Sequence, residues 1–479
     1  MKKSILFLTT VILAVSITAQ NVGIGTIVPA EKLHVNGNVK ADTVKPAAIK
    51  LIPNAGNGRI LTSDAAGNAS WQLTNSAPGN IGYGVWGDCS VSGVVSEYQP
   101  MADSADANDY HGRSVAMSGS FAIVGTSGDD VNGISSQGSA AIYEFDGTKW
   151  VYKQKLLDPA GAIGDQLGYS VAISGNFAIV GAPYDDVGAD NAQGSACVFR
   201  YNGTSWVFQQ KITDATGAAD DHFGITVSIS GTHLIIGTPD DDAGVNADEG
   251  SASVYNYNGT SWVLKSKLLS PTGEAGDSFG QGVAVSGSLL AIGAPYDDDG
   301  GTNSGSVSYY RYNGSSWIFI RTQIIFVAGA LMGYSLAMSG DLIMIGAPGY
   351  DPGSSANKGT AYIYIYDGSD WSLLDNVSDS EGLTGDYFGI SVAISDDLAM
   401  AGSYWDDVGS NNNQGSAVLF RRIGNVWRRI IKISDPSGES SDTFGYSTAI
   451  DAGSKRFLVG APQSSGNGQR GLVFFGKIN

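Results

Sequence analysis

The chain has 479 residues, a formal net charge of −19 and 66 glycines, but only 14 prolines. The negative charge excludes nucleic-acid binding, which needs a basic surface to neutralise phosphates, and disfavours electrostatic docking on an anionic membrane. Hydrophobic residues make up 42% of the chain, enough for a large core, and the glycine excess without a collagen-like period predicts many turns between short strands.

The N-terminal segment, residues 1–20, has the features of a secretory signal peptide. Lys2 and Lys3 precede an apolar stretch from Ile5 to Ile17, and Ala19 offers a small residue at a cleavage point. The stretch is shorter than the about 20 apolar residues that span a bilayer, and no later segment approaches that length. The sequence therefore predicts a protein without a membrane span that is secreted or held at the cell surface.

Residues 21–75 form a segment of short apolar runs separated by glycine and asparagine. Asn21–Thr26 and Leu33–Val39 resemble motifs that open many bacterial surface proteins and phage tail-fibre stalks. The resemblance implies a short β-rich stalk, and because such stalks often trimerise, a homotrimer through this segment is one expectation. A solvated linker is the alternative. Residues 76–93, rich in glycine, are predicted to be a linker to the domain that follows.

A repeated unit fills the domain from 94 to 479. Each unit begins with a glycine, usually after phenylalanine or leucine, which we call the anchor glycine. A second marker, Gly181-Ala182-Pro183 in the second unit, and a tryptophan, Trp206 in the same unit, follow at nearly constant distances. The anchor glycines recur at one constant interval, except for a slightly shorter step between the fourth and the fifth: Gly112, Gly168, Gly224, Gly280, Gly333, Gly389 and Gly445.

Each unit contains four segments with the pattern of a β-strand. In the second unit these are Tyr169–Ser174, Phe177–Val180, Ala196–Tyr201 and Trp206–Ile212, and Asn202-Gly203 between the last two is a strong hairpin signal. Helical periodicity is not found. Four antiparallel strands repeated seven times predict an all-β fold, a seven-bladed β-propeller.

The two ends of the repeat region predict how the ring closes. The last unit ends before its fourth strand, while Val94–Met101, upstream of the first anchor glycine, lies where a fourth strand is expected. We therefore expect this N-terminal strand to pair with residues 470–478 and to complete the seventh blade. A closed ring would protect the strand edges that a linear stack of sheets exposes.

The repeated Phe-Gly and Gly-Ala-Pro markers resemble FG-GAP repeats, the units of the integrin α-chain propeller and of many secreted bacterial proteins. The resemblance covers residues 94–479 and implies a partner-binding role. In calcium-binding copies of the family an acidic loop lies between these two markers. Here that interval is a tight turn, such as Ser174-Gly175-Asn176, so the calcium sites of the family are not carried over.

Most acids lie instead in the loop between the second and third strands and in the connection from the fourth strand to the next unit. In an up-and-down blade these loops emerge on the same face, which predicts an acidic contact face. The candidate ligand-binding residues, which are also the candidates for Ca²⁺, are Asp129, Asp130, Asp185, Asp186, Asp190, Asp240, Asp241, Asp242, Asp297, Asp298, Asp299, Asp406 and Asp407.

Three interpretations of these aspartates remain open. Aspartate favours turns and keeps an exported protein soluble, paired carboxylates bind Ca²⁺, and a carboxylate pair can hydrolyse glycosides. The recurrence of the acids in most units argues against catalysis, because an active site is normally unique. The tryptophans are predicted to pack between blades rather than to stack on sugars. Cys89 and Cys197 pair once or stay free, and no zinc or catalytic motif is found.

The sequence thus predicts an exported, non-catalytic binding or adhesion protein. Its partner would be a protein or a polysaccharide that contacts the acidic face formed by the long loops, and Ca²⁺ is the one candidate cofactor. A carbohydrate-active enzyme or its binding module is one alternative, and a structural surface or fibre component is another. A cluster of non-repeating polar residues in one blade would favour an enzyme.

Overall fold

The chain divides into two compact units, residues 1–80 and 81–479. A computed structural model describes most of the second unit and, before residue 97, the backbone of five short strands. The described ranges after those strands are 108–242, 246–351, 356–464 and 470–478. The predicted signal peptide and the predicted linker of residues 76–93 lie outside the described residues.

The described residues of the first unit form four short strands. β1 (Val22–Ile24) pairs in parallel with β2 (Leu33–Val35), and β3 (Arg59–Ser63) forms an antiparallel pair with β4 (Ala69–Leu73). They fall in the segment expected to be a β-rich stalk. The homotrimer expected through this segment stays a prediction.

The second unit consists of seven four-stranded antiparallel sheets, the blades. The first strands of successive blades contact each other, and the first strand of the last blade contacts that of the first blade, so the sheets form a ring. Within each of the first six blades the strands are hydrogen-bonded in chain order. The four strands predicted for the second repeat agree closely with the observed strands of blade 2 and differ only at their ends.

The strands of blades 1 to 3 are β6 (His111–Ser118), β7 (Phe121–Thr126), β8 (Ser139–Phe145) and β9 (Trp150–Leu156); β10 (Ser170–Ser174), β11 (Phe177–Ala182), β12 (Ser195–Tyr201) and β13 (Trp206–Ile212); β14 (Thr226–Ser230), β15 (His233–Thr238), β16 (Ser251–Tyr257) and β17 (Trp262–Leu269). Those of blades 4 to 6 are β18 (Gly282–Ser286), β19 (Leu289–Ala294), β20 (Ser306–Tyr312) and β21 (Trp317–Ile324); β22 (Leu336–Ser339), β23 (Leu342–Ala347), β24 (Thr360–Tyr366) and β25 (Trp371–Val377); β26 (Ser391–Ser395), β27 (Leu398–Ser403), β28 (Ser416–Ile423) and β29 (Val426–Ile433).

The seventh blade joins the two ends of the ring. The strands of this blade are β30 (Ser447–Asp451), β31 (Arg456–Ala461), β32 (Leu472–Ile478) and β5 (Val94–Ser96). β5 pairs antiparallel with β32, with Val94 opposite Ile478 and Ser96 opposite Gly476. The prediction that an N-terminal strand completes the last blade is confirmed.

Neighbouring blades meet through the two glycine markers of the repeat. The carbonyl oxygen of Gly224, the anchor glycine of blade 3, lies so close to Gly181 of blade 2 that a methyl group on Gly181 would collide with it. The Ser170 hydroxyl donates a hydrogen bond of 2.7 Å to the same carbonyl. The contact recurs where blade 7 meets blade 1, with Gly460 against Gly112. The anchor glycine Gly224 has a left-handed φ of 97°, and a methyl group there would collide with the Ser195 carbonyl of blade 2. Both markers therefore need glycine because each meets the backbone of the neighbouring blade.

The tryptophan marker packs between blades, as predicted. Trp206 meets Phe121 of the preceding blade edge to face, with ring centroids 5.4 Å apart, and Trp371 stacks on Tyr309 at 5.0 Å. The six tryptophans of the repeat are 2–7% exposed: Trp150, Trp206, Trp262, Trp317, Trp371 and Trp427. They belong to the hydrophobic core between blades and are not available to stack on a ligand.

Cys197 is a free cysteine, buried in β12 with no exposed surface. Burial raises the pKa of its thiol, which keeps the sulfur protonated and poorly nucleophilic. It packs as a small apolar residue, in agreement with one of the two expectations. Cys89 lies outside the described residues.

Candidate functional site

Two sets of loops share one end of the ring. The Leu167 N–H, in the connection from blade 1 to blade 2, donates a 3.0 Å hydrogen bond to the Gln137 carbonyl in the loop between β7 and β8. The same pairing recurs between later blades, as at Gly194 and Phe223. We call this surface the long-loop face. Its loops after the second strands are 127–138, 183–194, 239–250, 295–305, 348–359, 404–415 and 462–471, and its connections are 157–169, 213–225, 270–281, 325–335, 378–390 and 434–446.

Burial divides the thirteen candidate aspartates into two groups. One aspartate of each pair or triplet is only 2–6% exposed: Asp129, Asp185, Asp241, Asp297 and Asp406. The residues that follow these are exposed, namely Asp130, Asp186, Asp242, Asp298, Asp299 and Asp407, while Asp190 and Asp240 are half-buried. A contact surface can therefore use the second group but not the first.

The buried aspartates surround a lysine from the fourth strand of the blade. Lys211 Nζ lies 2.7 Å from Asp158 Oδ2 and 2.5 Å from Asp185 Oδ2. Carboxylate oxygens of Asp158, Asp165 and Asp185 all lie within 4.8 Å of one another. Burial raises the pKa of Asp165 to about 6. The Lys211 ammonium thus pairs with two of the three buried carboxylates. The third, Asp165, becomes protonated in mildly acidic solution.

The same cluster recurs in blades 3 and 6. Lys267 Nζ contacts Asp214 at 2.8 Å and Asp241 at 2.5 Å, and Lys432 contacts Asp379 at 2.8 Å and Asp406 at 2.6 Å. In each case the first aspartate comes from the connection and the second from the loop, so the cluster ties two blades together. The acidic residues alone do not predict these lysines. Lys211, Lys267 and Lys432 nevertheless occupy the same position of the repeat.

Blade 4 departs from this arrangement. Gln323 takes the place of the lysine and Ser270 that of the first aspartate, while Asp277 and Asp297 remain buried. The Gln323 side chain turns away and donates to the Ile324 carbonyl at 2.7 Å. Asp297 Oδ2 is buried without a hydrogen-bond partner, and burial raises the pKa of Asp277 to about 6. Among the described residues, no lysine or arginine pairs with these two carboxylates.

The exposed aspartates hold the loops in shape. Asp186 Oδ1 accepts a 2.8 Å hydrogen bond from the N–H of Ala192, further along the same loop, and Ala192 has a left-handed φ of 49°. Asp407 accepts from Asn413, whose φ is 54°, at the same distance. Each carboxylate stabilises a backbone conformation that residues other than glycine seldom adopt. This supports turn formation as one role of the acids.

A different set of residues lines the centre of the ring. The residue after each anchor glycine points into the central channel: Arg113, Tyr169, Ile225, Gln281, Tyr334, Ile390 and Tyr446. They line a cavity of about 300 Å³ together with neighbouring side chains of the first strands and Tyr404. The position always follows an anchor glycine, yet its residue type varies from blade to blade. Non-repeating polar groups thus exist, spread over the blades rather than gathered in one.

Arg113 contacts two aromatic rings in this cavity. Its guanidinium carbon lies 4.0 Å from the ring centroid of Tyr169 and 4.9 Å from that of Tyr446. Such cation–π stacking fixes the plane of the guanidinium. No carboxylate among the described residues pairs with Arg113, and none of the residues that line the cavity is acidic.

Aromatic side chains continue from the channel to the long-loop face. Tyr404 lies 5.6 Å from Tyr446 and 5.0 Å from Trp405, centroid to centroid. Trp405 is 41% exposed, and Tyr296, in the corresponding loop of blade 4, is 38% exposed. The sequence does contain a signal for this site, since the residue after the anchor glycine varies from repeat to repeat. The signal is visible only when all seven repeats are compared, because no single residue at this position indicates a site.

The ring and its channel define the class of protein: an all-β, seven-bladed β-propeller. The model of the FG-GAP repeat family matches residues 101–143, 150–199, 206–255, 262–310, 327–364 and 371–420. These segments make up more than half of the chain, which therefore belongs to the FG-GAP repeat family. A comparison with curated proteins finds no match. No helix in the described part of the chain is long and apolar enough to cross a membrane.

Proposed function

We propose that the chain is an exported, non-catalytic binding or adhesion protein that contacts a protein or polysaccharide through its long-loop face. The observation that carries the proposal is the concentration of both long loop sets, the exposed carboxylates and the non-repeating channel residues at one end of the ring. Rigid scaffolds commonly bind through their longer loops. The signal-like residues 1–20 support export, and the propeller fold is consistent with binding.

Charge removal from the long-loop face tests the proposal. The triple variant Asp186→Asn, Asp242→Asn, Asp407→Asn keeps the side-chain oxygen that accepts the loop hydrogen bond and removes three exposed charges. We expect it to fold normally and to bind about tenfold more weakly than the wild type to the ligands that the wild type selects from glycan and matrix-protein arrays.

The opposite face offers a matched control. Asp146 and Asp367 accept hydrogen bonds in the hairpins between the third and fourth strands. The Thr148 hydroxyl and backbone N–H groups lower the pKa of Asp146 to about 2, and backbone N–H groups and the Ser369 hydroxyl do the same for Asp367. The variant Asp146→Asn, Asp367→Asn should leave binding unchanged. Equal losses in both variants, or no array ligand for the wild type, would contradict the proposed function.

Calcium is a second part of the proposal, placed in blade 4. The buried Asp297 Oδ2, which has no hydrogen-bond partner, fits a cation. Asp298 and Asp299 follow it in the same loop, and Asp277 lies in the connection that precedes β18. Bound Ca²⁺ would supply the positive charge that lysine supplies in blades 2, 3 and 6.

We expect millimolar Ca²⁺ to raise the melting temperature of the wild type by several degrees relative to EDTA, because a ligand at 100 times its Kd adds about 2.7 kcal/mol of stability. The variant Asp297→Asn should not respond, while Asp146→Asn should respond as the wild type does. A wild-type melting temperature that is the same in Ca²⁺ and EDTA would discard the calcium site.

A further inference from the structure

We propose that the mouth of the central channel binds the carboxylate of an acidic sugar, with Arg113 as the ion-pairing residue. The inference rests on the proposed binding function and names the chemistry of its ligand. It concerns the interior of the ring, whereas the exposed aspartates lie on the loops around it.

Charge is the first argument. In a chain with a net charge of −19, the channel cavity is lined by one cation and, among the described residues, by no acid. Lys211, Lys267 and Lys432 each hold two carboxylates, whereas Arg113 contacts the tyrosines Tyr169 and Tyr446 and pairs with no carboxylate of the described residues. A partly buried guanidinium is strongly stabilised by an anion, and it recognises a carboxylate through two parallel hydrogen bonds.

The geometry of the cavity is the second argument. The Arg113 guanidinium lies over the rings of Tyr169 and Tyr446 and is hydrogen-bonded to the Tyr169 side chain, which leaves further N–H donors of its five for a ligand. Burial raises the pKa of Tyr334 and Tyr446, so their hydroxyls stay protonated and can donate to a ligand. The volume of about 300 Å³ is at the lower end for small-ligand pockets and suits one terminal sugar residue.

The surroundings of the cavity favour a sugar over a peptide. Trp405 and Tyr296 expose aromatic surface from corresponding loops of blades 6 and 4, and the C–H faces of a sugar pack on such rings. The exposed aspartates around the ring would repel a chain with many carboxylates. A neutral sugar chain that ends in one uronate meets both conditions.

Calorimetric titration of the full chain with two disaccharides tests the inference. One ends in glucuronate (glucuronate-β1,4-glucose) and the other is cellobiose, which differs by having a hydroxymethyl group instead of the carboxylate. We expect the acidic disaccharide to bind at least about tenfold more tightly than cellobiose, and Arg113→Gln to abolish this preference. Arg113→Lys, which keeps the charge but not the paired hydrogen bonds, should retain part of it.

Arg200→Gln is the matched control. The Arg200 guanidinium also lies over two aromatic rings, 5.7 Å from Phe177 and 5.9 Å from Tyr257, but on the exposed outside of the ring. This variant should bind as the wild type does. Equal binding of the two disaccharides, no binding of either, or an unchanged preference in a folded Arg113→Gln or Arg113→Lys variant would overturn the inference.

A further comparison separates the sugar from a peptide. A tetrapeptide with a free terminal carboxylate that outcompetes the acidic disaccharide, while its amide does not, would overturn the assignment to a sugar. In another outcome, the wild type binds array ligands through its loops and has no affinity for the acidic disaccharide. That result would overturn this inference and leave the proposed function standing. The converse result would support the channel site and contradict the role of the loop carboxylates.

Discussion

Replacing the anchor glycine Gly168 with alanine is expected to destabilise the propeller by about 4 kcal/mol. Gly168 has a φ of 95°, which is strained by about 1–2 kcal/mol for any residue with a Cβ. The added methyl group would also collide with the Ser139 carbonyl and crowd the Thr126 N–H in the neighbouring blade. Backbone atoms of a sheet cannot turn aside as a side chain can, so the blades must separate.

Two other glycines divide this effect into its parts. Gly203, in the hairpin between β12 and β13, has a similar φ of 99°, but a methyl group there would meet no atom within 4 Å. We expect Gly203→Ala to cost about 1 kcal/mol. Gly181 has no left-handed φ, but its methyl group would collide with the Gly224 carbonyl, so Gly181→Ala should cost about 2 kcal/mol.

Urea midpoints of the four proteins, with the proportion folded measured by circular dichroism, give the order of stability. The expected order is wild type, Gly203→Ala, Gly181→Ala and Gly168→Ala. If Gly168→Ala proves no less stable than Gly203→Ala, the close approach of the anchor glycine to the Ser139 carbonyl does not hold the blades together, and the same result for Gly181→Ala would exclude the contact between the two glycine markers.

The repeat explains why so much of this fold could be predicted from one sequence. Seven correlated copies of the same marker average out the ambiguity of any single strand. The hairpin glycines set the pairing within a blade. The three strand-like segments of the last unit predict that Val94–Met101 supplies the fourth, and Val94–Ser96 is found paired there. The repeat pattern alone does not explain why Gly181 must be glycine. Its contact with the Gly224 carbonyl lies between two repeats and is seen only in the folded ring.

The candidate site was harder to predict, for two physical reasons. Aspartates such as Asp185 look like surface charges, and their burial depends on Lys211, which belongs to a distant strand of the same blade. Arg113 belongs to the first blade and Tyr446 precedes the last, but they meet in the channel because the ring closes. Repetition identifies the scaffold, whereas the residues of the proposed channel site are those that differ between repeats.

Replacing Lys211 with methionine is expected to destabilise the propeller by about 3 kcal/mol at pH 8. The variant leaves Asp158, Asp165 and Asp185 buried together without a cation, and uncompensated buried charges are strongly destabilising. The figure lies at the lower end of the usual range because the Lys211 side chain is 24% exposed and water reaches part of the cluster. Lys153→Met, which removes an exposed pair with Glu144, should change the urea midpoint little.

The deficit of Lys211→Met should shrink as the pH falls from 8 to 5. The pKa of Asp165 is about 6 in the folded wild type, raised by burial and held down in part by the Lys211 ammonium, so removing the lysine raises this pKa further. A carboxyl that binds its proton more tightly in the folded than in the unfolded state adds stability as the pH drops through its folded pKa. The difference in midpoint between variant and wild type is therefore largest above pH 7. A deficit that stays constant over this pH range would mean that the lysine acts by packing.

In blade 4 the lysine and one aspartate of the cluster are both absent: Gln323 stands at the repeat position of Lys211, and Ser270 at that of Asp158. The double variant Lys211→Gln, Asp158→Ser copies that pair of changes into blade 2. We expect it to be more stable at pH 8 than Lys211→Gln alone, because one buried charge leaves with the ammonium that held it. Stabilities that simply add would show that Asp158 and Lys211 do not interact, which would contradict the ion-pair cluster as the bond between these blades.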